Sequence, residues 1–428
     1  MKRLSIANLL AGGSPGQAWP PQEVASLWTV VREYRRYYQA HAGEMFQYRP
    51  DLHQSGGLQQ FTPVPLAREL AAFSAALLFG EPATLTAREP TDQPALDSLT
   101  QANRLDELLT ASSEYVAVEG AGGLRVSLDD GVPGGVVLDL VPGASTIWRE
   151  RFGRFTSGGI VAFEYADPRS TVTWRLLEDH DVGIVRRRLF RGNLTRLGDA
   201  VSLSEGPEIW RELKPETNTG LLDRATLVKW ENKPGGVSDL AGILPLLDSY
   251  DDGQTLLRQK SAASVPIVAG HESILDENNN FEAWRGILLK TPDEHIASSL
   301  IPADKLVQVL QADFDADPMI SYLQHLRGTI LTSVGYSPES FTGEGTAGRA
   351  DSGRALALRQ TRTAHTRNQK ATMTERAISE ALGVALALYL GRPLAEACMP
   401  VVELVDTVQD VAEDVADTQD TPTTGGEE

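Results

Sequence analysis

The sequence predicts an α+β chain, in which helical segments enclose a block of short antiparallel strands. Three observations lead there. Between Gly120 and about Trp230, runs rich in β-branched and aromatic residues are separated by Gly, Asp and Pro, the pattern of strands and hairpins. On both sides of that block apolar residues recur at three- and four-residue intervals, the helical period. The 428 residues, 41% hydrophobic and 23% charged, are ordinary for a folded chain and enough for several parts.

Taken in order, Gln22–Tyr48 reads as a helix, with Trp28, Val31, Tyr34, Tyr38 and His41 as its core-facing stripe. Leu66 to Gly80 is a second helix with Leu66, Leu70, Phe73, Leu77 and Leu78 on its apolar face, closed by Gly80 and Pro82. A third covers Pro94–Val118, with Asp97 or Ser98 near its start. The strand block follows, with LRVSL, GVVLDLV, TIW, GIVAFEYA, STVTWRLL, GIVRRRLF and ATLVKW as its members. Arg186–Arg188 lie in one of them and read as a solvated strand face. Leu240–Ala263 is helical again, although Pro245 and Gly253 both disfavour a helix interior. Val265–Gln311 is a mixed segment with a polar turn at Asp276–Asn280. Asp317-Pro318 opens a further helix, Asp as N-cap and Pro at the first helical position. Its stripe is Ile320, Leu323, Leu326, Ile330 and Val334, and Gly335 ends it.

The most informative stretch comes next: a glycine-rich segment (GEGTAGRADSG) runs directly into a long basic helix. From Arg349 to Lys370 there are five arginines (Arg349, Arg354, Arg359, Arg362, Arg367) and Lys370 against Asp351 alone, in a chain of net charge −19. Such a local inversion points to a surface that meets a polyanion, against the plainer reading of a solvated amphipathic helix. Leu382–Leu390 reads as a buried helical end. From Val401 onward there are nine acids and no Lys or Arg, so the last dozen residues are expected to be disordered. The overall acidity argues against a sequence-reading nucleic-acid binder.

Catalytic and metal chemistry finds little purchase. Gly343, Gly345 and Gly348 match G-x-G-x-x-G, but a helix precedes them where a dinucleotide fold needs a strand. No Lys-Ser/Thr follows the glycines, so Walker-type phosphate binding is not expected. The seven histidines are scattered, and Gly335-Tyr336-Ser337-Pro338-Glu339 breaks the nucleophile-elbow pattern at its last glycine. Asp129-Asp130 and Asp251-Asp252 are adjacent pairs and read as turn or cap residues. Cys398 alone excludes an intramolecular disulfide. Met1–Gly13 lacks a proper apolar core for a signal peptide, and no stretch nears the roughly 18 apolar residues of a membrane helix. The expectation is no enzyme, no cofactor, no metal and no membrane.

Four stretches resemble the portal proteins of tailed bacteriophages, in the SPP1-like siphophage group: Ala75–Pro82 (ALLFGEP), Glu114–Val126 (EYVAVEGAGGLRV), Asn232–Asp251 (NKPGGVSDLAGILPLLDSYD) and Asp351–Arg359 (DSGRALALR). Their order spans about residues 60–390. The resemblance implies an elongated subunit assembled in a ring of about a dozen copies around a DNA channel at one capsid vertex. It implies an N-terminal segment (1–27), a wing (28–238), a first stem helix (239–264), a clip (265–316) and a second stem helix (317–336). A tunnel loop (337–352), a basic helix and crown (353–400) and the acidic tail (401–428) complete it. Thr342, Glu344, Thr346, Arg349 and Arg354 would face the DNA, and Asp276, Asn279 and Glu282 of the clip would dock partners. Those partners would be double-stranded DNA held non-specifically, the terminase large subunit, the head-completion adaptor, and the major capsid and scaffolding proteins. The setting would be the virion after assembly in the host cytoplasm. The alternatives are a DNA-binding or scaffolding module that forms no ring and, less favoured, a nucleotide-binding enzyme.

Overall fold

In a computed structural model, residues 17–41, 45, 61–129, 131, 134–151, 154–221, 223–264, 267–271, 287–291, 307–310, 315–338, 341, 353–393 and 398–405 are described. They form an α+β chain that divides into two compact units. One comprises Met1–Ala40, Pro65–Leu244 and Leu331–Glu428, the other His41–Val64 and Pro245–Ile330.

In the first unit, helix α1 (Gln22–Gln39) ends at Ala40 in the left-handed conformation, short of the expected Tyr48. Trp28 and Val31 are buried as expected. Tyr37 takes the place given to Tyr38, and His41 is exposed. Helix α2 (Leu66–Phe79) buries Leu66, Leu70 and Leu78 together with Ala67, Ala71, Ser74 and Ala75, so small residues let neighbours approach closely. The single helix expected over Pro94–Val118 is two, α3 (Gln93–Ala102) and α4 (Leu105–Glu119). Asn103 and Arg104 break it. Arg104 has φ 45°, and the Asn103 amide donates to the carbonyls of Leu99 and Val136 while its oxygen accepts from Leu138 N. A side chain that satisfies a neighbouring strand stabilises a break that local propensity does not announce.

The strand block is as expected: every pairing within it is antiparallel. β2 (Ala121–Leu128) lies between β3 (Val136–Pro142) and β10 (Leu227–Glu231). A larger sheet has the order β4 (Thr146–Arg151), β5 (Arg154–Ala166), β6 (Thr173–Asp181), β7 (Ile184–Asn193), β8 (Arg196–Val201), with β9 (Glu216–Asn218) also pairing β7. Trp19, Trp28 and Val31 cover one face of the larger sheet over Ile160, Leu177 and Phe190. Val141, Val161 and Leu227 join the two sheets. The long helix α7 (Gly353–Leu390) lays Ala377, Ile378, Ala381, Leu382 and Ala385 onto Leu124, Val126, Val228 and Trp230 of the small sheet. The expected burial of Leu382–Leu390 holds through Ala387, while Tyr389 is exposed. Near α7's end, β14 (Val401–Glu403) pairs β1 (Thr84–Thr86).

Arg186 and Arg187 are not the solvated face expected of them. Arg187 Nε donates to the buried Glu178 at 2.6 Å, and Arg186 lies 3.3 Å from Asp181 and 3.6 Å from Asp179; Arg188 alone of the three is exposed. Arg125 also bonds Glu178. Burial by itself raises the Glu178 carboxyl. The neighbouring His180 ring and the guanidiniums of Arg125 and Arg187 overcome it and hold the group far below the usual carboxylate range.

The second unit contains nearly all of α5 (Leu244–Ala263), most of α6 (Asp317–Val334), and a sheet of order β12 (Ile287–Thr291), β11 (Ile267–His271), β13 (Val307–Leu310). β11 runs parallel to β12 and antiparallel to β13. α5 is continuous through both suspected breakers. Pro245 falls in the first turn, where its missing N–H is no loss. Gly253 sits where a Cβ would come within 2.8 Å of Leu323 Cδ2 on α6, so this glycine gives the two helices their closeness. Asp251 is neither cap nor turn residue: it is buried within α5 and accepts from Val64 N at 2.9 Å. Asp129 does hold a turn, accepting from Gly131 N. On α6, Leu323, Leu326, Ile330 and Val334 are buried, but Ile320 is 41% exposed. Asp317 is the first helical residue of α6 rather than its N-cap, and Asp315 accepts from Asp317 N at 3.1 Å.

Candidate functional site

The chain leaves α6 at Gly335, is helical again at Pro338 and Phe341, and enters α7 at Gly353; a buried polar cluster roots this connection in the first unit. Gly335 ends α6 with φ 104°, its N–H on the Leu331 carbonyl. No side chain fits there: an added Cβ would come within 2.5 Å of Thr366 Oγ1, which donates to the Gly335 carbonyl at 2.8 Å. One turn before Thr366 along α7, Thr363 Oγ1 accepts from Ser337 N at 2.9 Å. One turn beyond, Lys370 donates to Ser74 Oγ (2.6 Å), Tyr336 Oη (2.9 Å) and Asp239 Oδ2. Thr363, Thr366 and Lys370 thus form a ladder at helical spacing, and each rung grips the chain at residues 335–337.

The cluster is closed beneath by the loop after β10. Asn232 Nδ2 and Lys233 Nζ each lie 2.9 Å from Asp239 Oδ1, and Lys233 also donates to the Val334 carbonyl at 3.3 Å. Lys370 and Asp239 side chains are both 2% exposed. Burial of that depth would push the Asp239 carboxyl up. The ammoniums of Lys370 and Lys233 reverse it and hold the group below its ordinary value. Burial lowers Lys370 to about 8 even with Asp239 beside it. Burial and the adjacent Asp239 carboxylate raise the Tyr336 phenol well above its usual range, so it stays a donor. Phe73 of α2 stacks edge-on against Tyr336 at 5.1 Å and Phe341 at 5.0 Å. The arrangement offers neither a nucleophile open to solvent nor, among the described residues, a group of metal ligands. Its chemistry is mechanical: it fixes the base from which residues 342–352 depart.

The residues expected to face DNA divide accordingly. Thr342, Glu344, Thr346 and Arg349 lie outside the described residues, as do Asp276, Asn279 and Glu282 of the expected docking segment. Arg354 stands in the first turn of α7, its side chain outside the described set. The acidic tail beyond Val405 is likewise outside it. The basic helix is only partly a surface. Arg367 and Lys370 are buried, Arg367 Nη2 donating to the carbonyls of Leu404 (2.7 Å) and Val405 (2.5 Å), while Arg362 is exposed. The clamp residues Asp239, Lys233 and Asn232 fall in the stretch that carries the portal resemblance. By pattern alone Lys370 counts as a surface cation of the basic helix, because pattern assigns cations on a helix to solvent.

A second feature is a cavity of about 490 Å3 between α7 and the sheets, lined by Glu150, Lys229, Glu231, Met373, Arg376 and Glu380 among others. Lys229 answers Glu231 at 2.8 Å and Glu150 at 3.6 Å, and Arg224 answers Glu380 at 2.9 Å. Among the described residues no helix is long and apolar enough to cross a membrane.

No protein-family model and no curated protein matches the sequence. Among solved structures, the chain is similar to one in the virion of a native gene transfer agent particle. The two are 13% identical, with 98% of this chain and 95% of that chain covered and a TM-score of 0.44. A chain in the neck of the native gene transfer agent particle, computed with C12 symmetry, gives 12% identity, 97% and 94% coverage, and a TM-score of 0.44. An HK97 family phage portal protein from Corynebacterium diphtheriae gives 10%, 82% and 96%, and 0.30. None of these three is described as belonging to the SPP1-like group.

Proposed function

We propose that this chain is a portal subunit: one copy of a ring through which double-stranded DNA enters and leaves a tailed-phage-type particle, without catalysis of its own. The observation that carries the reading is the rooted glycine-rich segment. It follows the end of α6 and precedes a long basic helix beginning at Gly353, and a buried ion cluster ties residues 334–336 to that helix and to the loop after β10. The sequence resemblance names that segment a tunnel loop. A loop at a constriction needs a rigid base and a permissive tip. The Thr363–Thr366–Lys370 ladder supplies the first, and glycine the second, since it admits many backbone conformations.

In this reading 28–238 is the wing, 239–264 and 317–336 are stem helices, 265–316 is the clip, and 353–400 is the basic helix and crown. Thr342, Glu344, Thr346, Arg349 and Arg354 line the DNA path, and Asp276, Asn279 and Glu282 meet the terminase or the adaptor. An acidic chain with a few local cations suits passage, because repulsion keeps phosphate from sticking while the cations centre the duplex. Base-specific contacts would hinder movement.

Negative-stain electron microscopy with native mass spectrometry of the purified chain, alone and with scaffold, tests the proposal. Rings of about a dozen copies with a hole wide enough for duplex DNA are expected. A stable dimer that binds nucleotide, or a monomer that stays monomeric with scaffold and binds DNA, would replace it with one of the alternative readings. Particles carrying Arg349→Glu and Arg354→Glu should package DNA poorly; normal packaging would remove these two arginines from the path.

A further inference from the structure

The acid-rich end of the chain and an exposed stripe of α7 are complementary in charge, and the described residues bring their roots together. Along α7, Arg362, His365, Gln369 and Thr372 recur at three- and four-residue intervals, and all four are exposed. From Gly353 to Met373 the sequence holds no Asp or Glu. Arg362 has no ion pair among the described residues. One turn further on, Arg376 shares its cavity with Glu150, Glu231 and Glu380, so an acidic occupant is favoured only on the part of the stripe before it.

The chain is delivered to this helix by contacts already in place. After β14, Leu404 N donates to Glu375 Oε1 at 3.2 Å, and Arg367 of α7 holds the carbonyls of Leu404 and Val405. Residues 406–428 then carry eight acids and no Lys or Arg. A segment of that length extends up to roughly 75 Å, while a helix with its side chains is only about 10–12 Å across. Reach is therefore ample for passage from the Arg367 side of α7 to the Arg362 side.

We infer that residues 406–428 dock, in their own chain, along the exposed stripe Arg362–Thr372 of α7. The chemistry is that of a tethered polyanion meeting Arg362, the charged residue of that stripe, with His365, Gln369 and Thr372 as polar neighbours. Single exposed ion pairs are worth little. The tether adds an effective concentration on the order of millimolar, and the eight carboxylates of residues 406–428 share the contact. Another polyanion approaching this face, duplex DNA included, must displace carboxylates that the chain itself supplies. The docking stands on the tail, Arg367 and the stripe, and does not require a ring.

Dipolar electron paramagnetic resonance on the full chain tests it, with labels on Gln369→Cys and Thr418→Cys in a Cys398→Ser background. A short-distance population is expected at low salt, emptied near 1 M salt where the Debye length is about 3 Å. Either Arg362→Glu or the triple change Asp414→Asn, Asp417→Asn, Asp420→Asn should empty it at low salt. Arg362 is exposed on α7, so its change removes the attraction without entering the core. A broad distribution indifferent to salt and to both charge changes overturns the docking. Loss of the short population on dilution with unlabelled chain also overturns it, by assigning the contact to a neighbouring copy.

Discussion

Lys370 shows how a single buried charge can be made to serve. Its ammonium meets Asp239, Ser74 and Tyr336, and Asp239 has a second cation in Lys233. Removing one partner of a buried pair leaves the other unanswered, so Lys370→Met should cost about 3–5 kcal/mol near pH 7, measured by urea unfolding. Adding Asp239→Asn should recover part of that loss, and a double-mutant cycle reads the coupling. The pH dependence has a definite direction. Burial brings Lys370 down from 10.5 to about 8. Below 8 both folded and unfolded chains hold the proton and the burial cost is present in full. Between 8 and 10.5 the unfolded chain holds a proton the folded chain has released, so this group's contribution becomes more favourable as pH rises. The gap between wild type and Lys370→Met should therefore move in the wild type's favour by up to roughly 1 kcal/mol per pH unit above 8. A gap that stays flat would mean the amine is solvated. Gly335 is the second sensitive residue. Gly335→Ala combines a positive φ with a 2.5 Å approach to Thr366 Oγ1, and a loss of about 1–3 kcal/mol is expected in the same unfolding assay.

At the scale of elements, periodicity located the helices and strands but not the exceptions that make the site. Composition and punctuation mark the antiparallel block, β-branched and aromatic runs set between Gly, Asp and Pro. The division of α3 from α4 was invisible, since Asn103 acts through Val136 and Leu138 of another element. The clamp was half legible. Asn232, Lys233 and Asp239 sit in a stretch whose resemblance drew attention, while Lys370 and Arg367 looked like surface charge. Local sequence carries no sign that a cation has an internal partner more than a hundred residues away. Gly253 weakens α5 by propensity and serves as a packing device. Gly253→Ala regains up to about 1 kcal/mol of helix propensity against a contact with the movable end of Leu323, and should be close to neutral. Gly253→Leu overpacks the same place and should cost about 1–3 kcal/mol. Equal urea midpoints for the two variants would show that α5 and α6 are not held together at this point.

For the whole molecule, the decisive quantity is charge and where it lies. A net charge of −19 opposes association with a polyanion at long range, and screening confines any attraction to within about 8–10 Å of a cation at ordinary ionic strength. Two of the cations that make α7 look basic are spent internally, on Asp239 and on the carbonyls of Leu404 and Val405. What remains for DNA is a small set, Arg362 among the described residues and Arg349 and Arg354 in the proposed path. A protein that neutralises few phosphates releases few counterions, so its salt dependence is shallow as well as its affinity weak. The purified full chain should accordingly bind duplex DNA with a Kd of roughly 10⁻⁴ M or weaker at physiological salt, the weak end of ordinary non-specific binding, with no preference among sequences. Fluorescence anisotropy with two unrelated duplexes, from 50 to 300 mM salt, measures both. Tight binding with a steep salt slope would reveal a surface built to grip DNA, and a gripping surface is the opposite of what a channel for a moving duplex requires.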